Sequence, residues 1–236
     1  MENTSPSALD LQQRVLYEDN HLIIINKKAG EIVQGDKTGD VPLLEQVRAF
    51  LKEKYHKPGN VFCGLVHRID RPVSGAVIFA KTSKALSRMT VAVKERNFTK
   101  IYWAIVENAP EIESQHLVNY LKKNEKQNKS YVVSEGTPDA RKAELAYRVL
   151  NHSEHYTLLE VELFTGRHHQ IRVQLAVNGT VIKGDLKYGA KRSNPDGSIS
   201  LHARKIEFTH PVTGETISVI APVPEDRLWQ EITRLP

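Results

Sequence analysis

Apolar residues change their spacing along this chain between every second position and every third or fourth, and those changes predict its elements. Short β-branched or alternating runs at 15–18 and 21–26 read as strands, the second buried because Leu22, Ile23, Ile24 and Ile25 are consecutive. Gly30 and the segment 35–40 read as turns. Leu43, Leu44, Val47, Phe50, Leu51 and Tyr55 recur at helical spacing, predicting an amphipathic helix over 42–55, closed by Pro58-Gly59. Pro72 disfavours helix just before it, so His67 to Arg71 reads as a loop feeding a strand over 74–81. A helix follows over 83–95, with Thr82 or Ser83 as its cap.

From 98 to 107 the chain alternates. Ile101, Trp103 and Ile105 share one side, and Lys100, Tyr102 and Ala104 the other. Residues 117–135, 142–150 and 156–164 continue as strands with polar turns, then a helix is predicted over 167–177 ending at Asn178-Gly179. Strands over 201–209 and 217–221 precede a short helix near 225–234. Many strands with few dispersed helices, and no regular strand–helix–strand alternation, predict an α+β fold on a mainly antiparallel sheet. Residues 1–12 read as a loose tail and 13–236 as one domain.

Composition narrows the class. The 236 residues are 40% hydrophobic and 26% charged, ordinary values for a chain able to bury its own core without disulfides. The one cysteine, Cys63, excludes an internal disulfide and a multi-cysteine zinc site. The polar N-terminus does not resemble a signal peptide, and the apolar run Leu22 to Ile25 is too short to span a bilayer. A cytoplasmic protein with no membrane association is expected. Net charge is +5, and its distribution is uneven. Residues 81–100 hold Lys81, Lys84, Arg88, Lys94, Arg96 and Lys100 against Glu95 alone. Residues 165–192 hold Arg167, Arg172, Lys183, Lys187, Lys191 and Arg192 against Asp185 alone. Two such windows suit a polyanion, although the same residues would also make ordinary solvated faces.

Phosphate-loop, dinucleotide-turn, zinc-helix and nucleophile-elbow motifs are absent, which disfavours the usual kinases, dehydrogenases and hydrolases. His168 and His169 could join His67 and His202 around a metal, but adjacent histidines diverge on a helix, so no metal is expected. Two segments place polar residues where propensity would not. In His67-Arg68-Ile69-Asp70-Arg71-Pro72-Val73-Ser74-Gly75, an aspartate between two arginines stays ionised, a nucleophile or base in waiting. A surface Arg–Asp pair would produce the same pattern. In Gly166-Arg167-His168-His169-Gln170-Ile171-Arg172, donors gather at a helix start, a cradle for phosphate or a base edge, or else a polar helix face.

Together these segments resemble the RluA-type pseudouridine synthase family. His67-Arg68-Ile69-Asp70 with Ser74-Gly75 and Ala80-Lys81 is similar to its signature around the catalytic aspartate. Lys100-Ile101-Tyr102 is similar to its Lys-x-Tyr motif, and Gly166-Arg167-x-His169-Gln170-Ile171-Arg172 to its arginine motif. Gly184-Asp185 with Tyr188-Gly189, and Leu22 to Gly30, match the flanking segments, so the resemblance runs in order from about 15 to 222. Val73 and His168 stand where the family has threonine, and Lys28 where it has proline. The resemblance implies the family's fold, with a central active-site cleft, and a stand-alone catalytic domain without an N-terminal S4 domain.

It also implies an isomerase that forms pseudouridine in structured ribosomal or transfer RNA. The uridine is flipped from its stack and its base rejoined through C5, with no cofactor, nucleotide or metal. Asp70 would act at the sugar, by adding to C1′ or by taking the 2′ proton. Arg172 would pair with Asp70, and Tyr102 would lie against the base and relay the C5 proton. Arg68, Lys81, Lys100, Arg167 and His169 are expected to contact RNA, and a monomer is expected. Two rivals follow from the same residues. A non-catalytic RNA-binding module would need no intact Asp70, Tyr102 and Arg172. An N-glycosidase would want a second carboxylate beside Asp70.

Overall fold

The computed structural model describes residues 8–36, 38–95 and 97–234. Lys37, Arg96 and most of the expected tail, residues 1–7, lie outside the described residues. The chain forms two compact units, Met1–Phe98 with Lys205–Pro222, and Thr99–Arg204 with Val223–Pro236.

In the first unit, α1 (Ala8–Gln13) leads into β1 (Val15–Glu18) and β2 (Leu22–Lys27), and α2 (Leu43–Lys54) follows. Next come β3 (Gly64–Leu65), β4 (Ser74–Ala80) and α3 (Ser83–Lys94). β2 lies between β1 and β4, β3 also pairs with β4, and all three pairings are antiparallel. β4 is buried along its whole length, as its run of small and β-branched residues requires. The core joins Leu22 and Ile24 of β2, Ala76 and Ile78 of β4 and Met89 of α3 to Ile206, Phe208 and Val219. Thr82 caps α3 by accepting a hydrogen bond from the Ala85 amide at 3.1 Å. Residues 8–12 are helix instead of loose tail. Leu11 is fully buried, and Asp10 pairs with both Arg14 and Lys28, so tertiary contacts hold a segment that propensity alone would leave frayed.

The second unit is built on β5 (Phe98–Val106), β6 (Ser114–Asn124), β7 (Lys129–Val133), β8 (Arg141–His152) and β9 (Thr157–Leu163). They form an antiparallel sheet in the order β5-β9-β8-β6-β7. The stretch 117–135, read as strand with polar turns, is a hairpin of β6 and β7. The polar run Asn124 to Asn128 turns it, with the Asn124 side chain accepting from the Gln127 amide and Asn128 in the left-handed region. α4 (Gln170–Val177) places Val173 against Leu121 and Ala143, and is followed by a short 3-10 turn over Leu186–Tyr188. β10 (Leu201–Thr209) carries the chain back to the first unit, where Lys205–Thr209 pairs antiparallel with β11 (Thr216–Ile220). α5 (Arg227–Ile232) then covers Ile105 and Leu158 of the second unit with Trp229 and Ile232. Dispersed helices among antiparallel strands make the fold α+β, as the sequence predicts. Among the described residues no helix is long and apolar enough to cross a membrane.

Candidate active site

Asp70 lies half-buried on the turn that feeds β4. The turn closes through the Val73 amide, which donates to the Asp70 carbonyl at 3.1 Å. The Gly30 amide reaches the Arg71 carbonyl at 2.8 Å. Lys27, at the end of β2, is 1% exposed and donates to the carbonyls of Lys28, Arg71 and Val73 at 2.9, 3.1 and 2.7 Å. Only an ammonium supplies three donors, so this geometry is that of the charged form. Burial pushes Lys27 down to about 7, opposed by the Glu31 and Asp70 carboxylates, while Arg14 and Arg71 add to the lowering. Asp70 thus stands within the field of a buried cation that also fixes its main chain. Gly75, at φ +115°, gives the strand entry a backbone that a side-chain residue rarely adopts.

The neighbouring arginines divide. Arg71 pairs with Asp40 at 2.5 Å, and Arg68 is exposed. Lys81 was expected to face RNA. Its side chain is only 8% exposed and binds the Glu18 carboxylate at 2.7 Å and the Asp19 carbonyl at 2.6 Å, tying β4 to the β1–β2 turn. His67 accepts from the Ile78 amide with Nε2, and Arg88 donates to the Pro211 carbonyl, so neither points outward as a bare charge.

In the second unit Tyr102 is buried on β5, opposite Val161 of β9, which is opposite Tyr147 of β8. Ala143, two pairs along β8 on the same side, packs against Val173, so Tyr102 lies on the face of the sheet that α4 covers. Lys100 is on that face as well. A Cβ at Gly166 would stand 3.7 Å from its ammonium, which places Lys100 against the arginine motif, and burial lowers its pKa.

The helix of this motif begins at Gln170, three residues later than the sequence predicts. His169 precedes it at φ 54°, which interrupts helical winding. The Gln170 carboxamide holds the turn by accepting from the Arg167 amide and the Thr165 hydroxyl, and donates to the Glu144 carbonyl. Arg167 is exposed, with Nε on the Lys142 carbonyl. Arg172 is 5% exposed, and its Nε and Nη2 grip the Asp185 carboxylate at 2.7 and 2.8 Å. Its guanidinium also lies 5.2 Å from the centre of the Tyr188 ring. Gly184 is needed just before Asp185: at φ +87°, a Cβ there would fall 2.8 Å from both Asn194 Cγ and the Ser198 carbonyl. Among the described residues no group of three or more His, Cys, Asp or Glu is placed to hold a metal ion.

A family model described as RNA pseudouridylate synthase matches residues 21–177, which include Asp70, Tyr102 and Arg172. The chain belongs to this family. A curated relative, an uncharacterised RNA pseudouridine synthase of Synechocystis sp., is 36% identical over 224 residues, 92% of this chain and 67% of its own length. The ribosomal large subunit pseudouridine synthase C of Vibrio cholerae is 32% identical over 232 residues, 96% of this chain and 70% of its own. The solved structure of human RNA pseudouridylate synthase domain containing 4 shares the fold. Its TM-score is 0.77 at 22% identity, covering 92% of this chain and 91% of that one. As a pseudouridine synthase the chain is an isomerase acting on uridine in RNA.

Two side chains of this pseudouridine synthase site have roles that the sequence reading missed. Lys27 closes a strand whose preceding residues are nearly all apolar and buried, which is itself a signal that its charge has a partner inside. Asp185, the lone acid in a basic window, is the buried partner of Arg172.

His169, expected to contact RNA, is 8% exposed, with Nδ1 on the Tyr188 hydroxyl at 3.0 Å and its ring stacked on His168. Burial, then the charges of Arg172, His168, Lys187 and Lys123, push its pKa down to about 2 from the usual 6.5. The unfolded ring takes a proton below pH 6.5 and the folded ring does not, so the stabilisation is complete above pH 6.5 and fades as pH falls. The loss is about 1.4 kcal/mol per pH unit. In denaturant melts from pH 6.5 to 5 the parent protein is expected to lose more stability than His169→Asn, the difference between the two being about 2 kcal/mol at most. Equal slopes in the two would place the acid sensitivity elsewhere.

Proposed function

We propose that this pseudouridine synthase modifies structured ribosomal RNA in the cytoplasm as a monomer, with Asp70 acting on the sugar of a flipped uridine. The observation that carries the residue assignment is the Asp70 turn. A half-buried carboxylate stands there on main chain fixed by a buried ammonium, a rigid presentation of one negative charge. The reaction breaks the N1–C1′ bond, turns the uracil and forms the C5–C1′ bond, and overall C5 gives up a proton while N1 gains one. Nothing enters or leaves overall, so one carboxylate suffices where hydrolysis of a glycosidic bond uses two. Asp70 adds to C1′ or takes the 2′ proton, and both routes require it ionised. Arg172 holds it in place, Tyr102 packs against the base and relays the C5 proton, and Arg68, Lys100 and Arg167 bind the RNA backbone. Lys81 is withdrawn from that set because it is committed to Glu18.

Support for ribosomal RNA comes from relatives named as large-subunit pseudouridine synthases in Vibrio cholerae and Buchnera aphidicola. The test is to incubate the purified protein with transcripts of large-subunit ribosomal RNA and with transfer RNAs, and to map carbodiimide adducts by primer extension. New stops at defined uridines of the ribosomal transcript are the expected result. Stops in transfer RNA alone would replace the substrate. RNA binding without any pseudouridine would favour the non-catalytic module, and release of free uracil the glycosidase.

A further inference from the structure

Lys28 stands where the family pattern has proline, and its main chain is gripped from both sides. Its carbonyl accepts from the buried Lys27 ammonium at 2.9 Å. Its amide, which a proline would lack, donates to Glu31 Oε2, also at 2.9 Å. That amide lies one residue beyond the last pair of the β2–β4 ladder, Lys27 with Gly75. Two residues further on, the Gly30 amide reaches the Arg71 carbonyl, so the segment 27–31 and the Asp70 turn are fastened to each other.

Glu31 is in turn held from behind. Both oxygens of its carboxylate accept from Nη1 of the buried Arg14, at 3.0 and 2.8 Å. Arg14 Nη2 lies 3.0 Å from Asp10 Oδ2, and the Lys28 ammonium reaches the other oxygen of Asp10 at 2.6 Å. The Asn26 amide donates to the Arg14 carbonyl at 2.8 Å, which sets the arginine's own main chain against β2. Asp10, Arg14, Glu31 and Lys28 thus close a ring of charges between α1 and the segment 27–31. Docking α1 would need only Asp10 with Arg14 or Lys28. Glu31 does more, because it ties Arg14 to the amide of the residue whose carbonyl the Lys27 ammonium holds.

We propose that Glu31 is a positioning residue for Asp70: together with Arg14 it braces the segment 27–31 against the Asp70 turn, through the Lys28 amide, where a proline would brace it with its ring. The proposal rests on the reading of Asp70 as the acting carboxylate. A proline would set φ at about −65° and leave no amide to satisfy. Lys27 before it is extended, the conformation favoured in front of proline. With lysine at 28 that restraint is gone, and the Glu31 carboxylate supplies one in its place. Glu31 also acts on Lys27. Of the charges that face Lys27, the Glu31 and Asp70 carboxylates favour its ammonium form, and Arg14 and Arg71 oppose it. Loss of the Glu31 charge lets Lys27 shed its proton at lower pH, and with it one of the three donors that hold the carbonyls of 28, 71 and 73.

The test measures kcat, KM and their pH dependence for the full chain on a transcript of large-subunit ribosomal RNA. At pH 6, Glu31→Ala should lower kcat about tenfold and leave KM within about twofold of the parent's. Adding Lys28→Pro to Glu31→Ala should restore most of that loss. Glu31→Gln keeps an acceptor for the Lys28 amide but not the charge. It should lose less than Glu31→Ala at pH 6, and as pH rises its kcat should fall about one pH unit earlier than the parent's. The parent's kcat and pH profile in Glu31→Ala would overturn the proposal. So would a loss that Lys28→Pro does not restore, or one matched by Glu45→Ala, whose carboxylate pairs with Arg48 on α2. If Glu31→Ala does not fold, Glu31→Gln decides, and a pH profile coinciding with the parent's would overturn the proposal. Turnover by Asp70→Asn near that of the parent would instead remove the reading beneath it.

Discussion

Asp70→Asn is expected to lower single-turnover pseudouridine formation by ~10⁴-fold or more, with Kd for RNA changed less than about threefold. The substitution keeps the size and shape of the side chain and removes only its charge and basicity, which both proposed routes require. The turn that carries Asp70 is held through main chain: the Lys27 ammonium on the carbonyls of Arg71 and Val73, and the Gly30 amide on Arg71. Those bonds are made to main chain, so at pH 6, where Lys27 keeps its proton, the melting temperature should stay within a few degrees of the parent. One secondary effect follows from the field around Lys27. With Asp70 neutral, Glu31 alone among the named carboxylates opposes the burial of Lys27, and the lysine should lose its proton more readily still. Turnover by Asp70→Asn near that of the parent would remove Asp70 from the chemistry. A matching loss of RNA affinity would make it a binding residue.

The motifs singled out Asp70, Tyr102 and Arg172 as candidates, but not the groups packed around them. Lys27 acts on carbonyls more than forty positions away, and a choice of partner at that distance is made by packing, which one sequence does not display. Lys81 shows the converse error. Its charge reads as an RNA contact, yet Glu18 reaches it inside the protein. Strong periodicity made β2, α2, α3 and β10 legible to within a residue or so. α1 was lost because six residues carry too little pattern of their own. The turn of the hairpin was not placed within 117–135 because it is polar without glycine or proline. The chain passes between the two units three times, within β5, within β10 and between Pro222 and Val223, and two of these passages lie inside strands, where composition marks no linker.

Asp185→Ala should be the most destabilising single change in the arginine motif. It removes a carboxylate that is 1% exposed and with it the two hydrogen bonds that Asp185 accepts from the Arg172 guanidinium, itself 5% exposed. Breaking a buried pair from one side typically costs about 3–5 kcal/mol, because the surviving charge keeps its desolvation and loses its compensation. In a chain of this length that corresponds to a fall in melting temperature on the order of 10 °C. Arg172→Ala with Asp185→Ala together should be less destabilising than the two single losses added, since both single variants lose the same pair of hydrogen bonds. Turnover separates this structural role from the proposed chemical one. If Asp185 only orients Arg172, then Asp185→Asn, which can still accept a hydrogen bond from the guanidinium, should lower kcat with little change in KM. The double alanine variant should then be no slower than Arg172→Ala alone. A double variant slower than Arg172→Ala by a further factor of ten would give Asp185 a function of its own, independent of the arginine it holds.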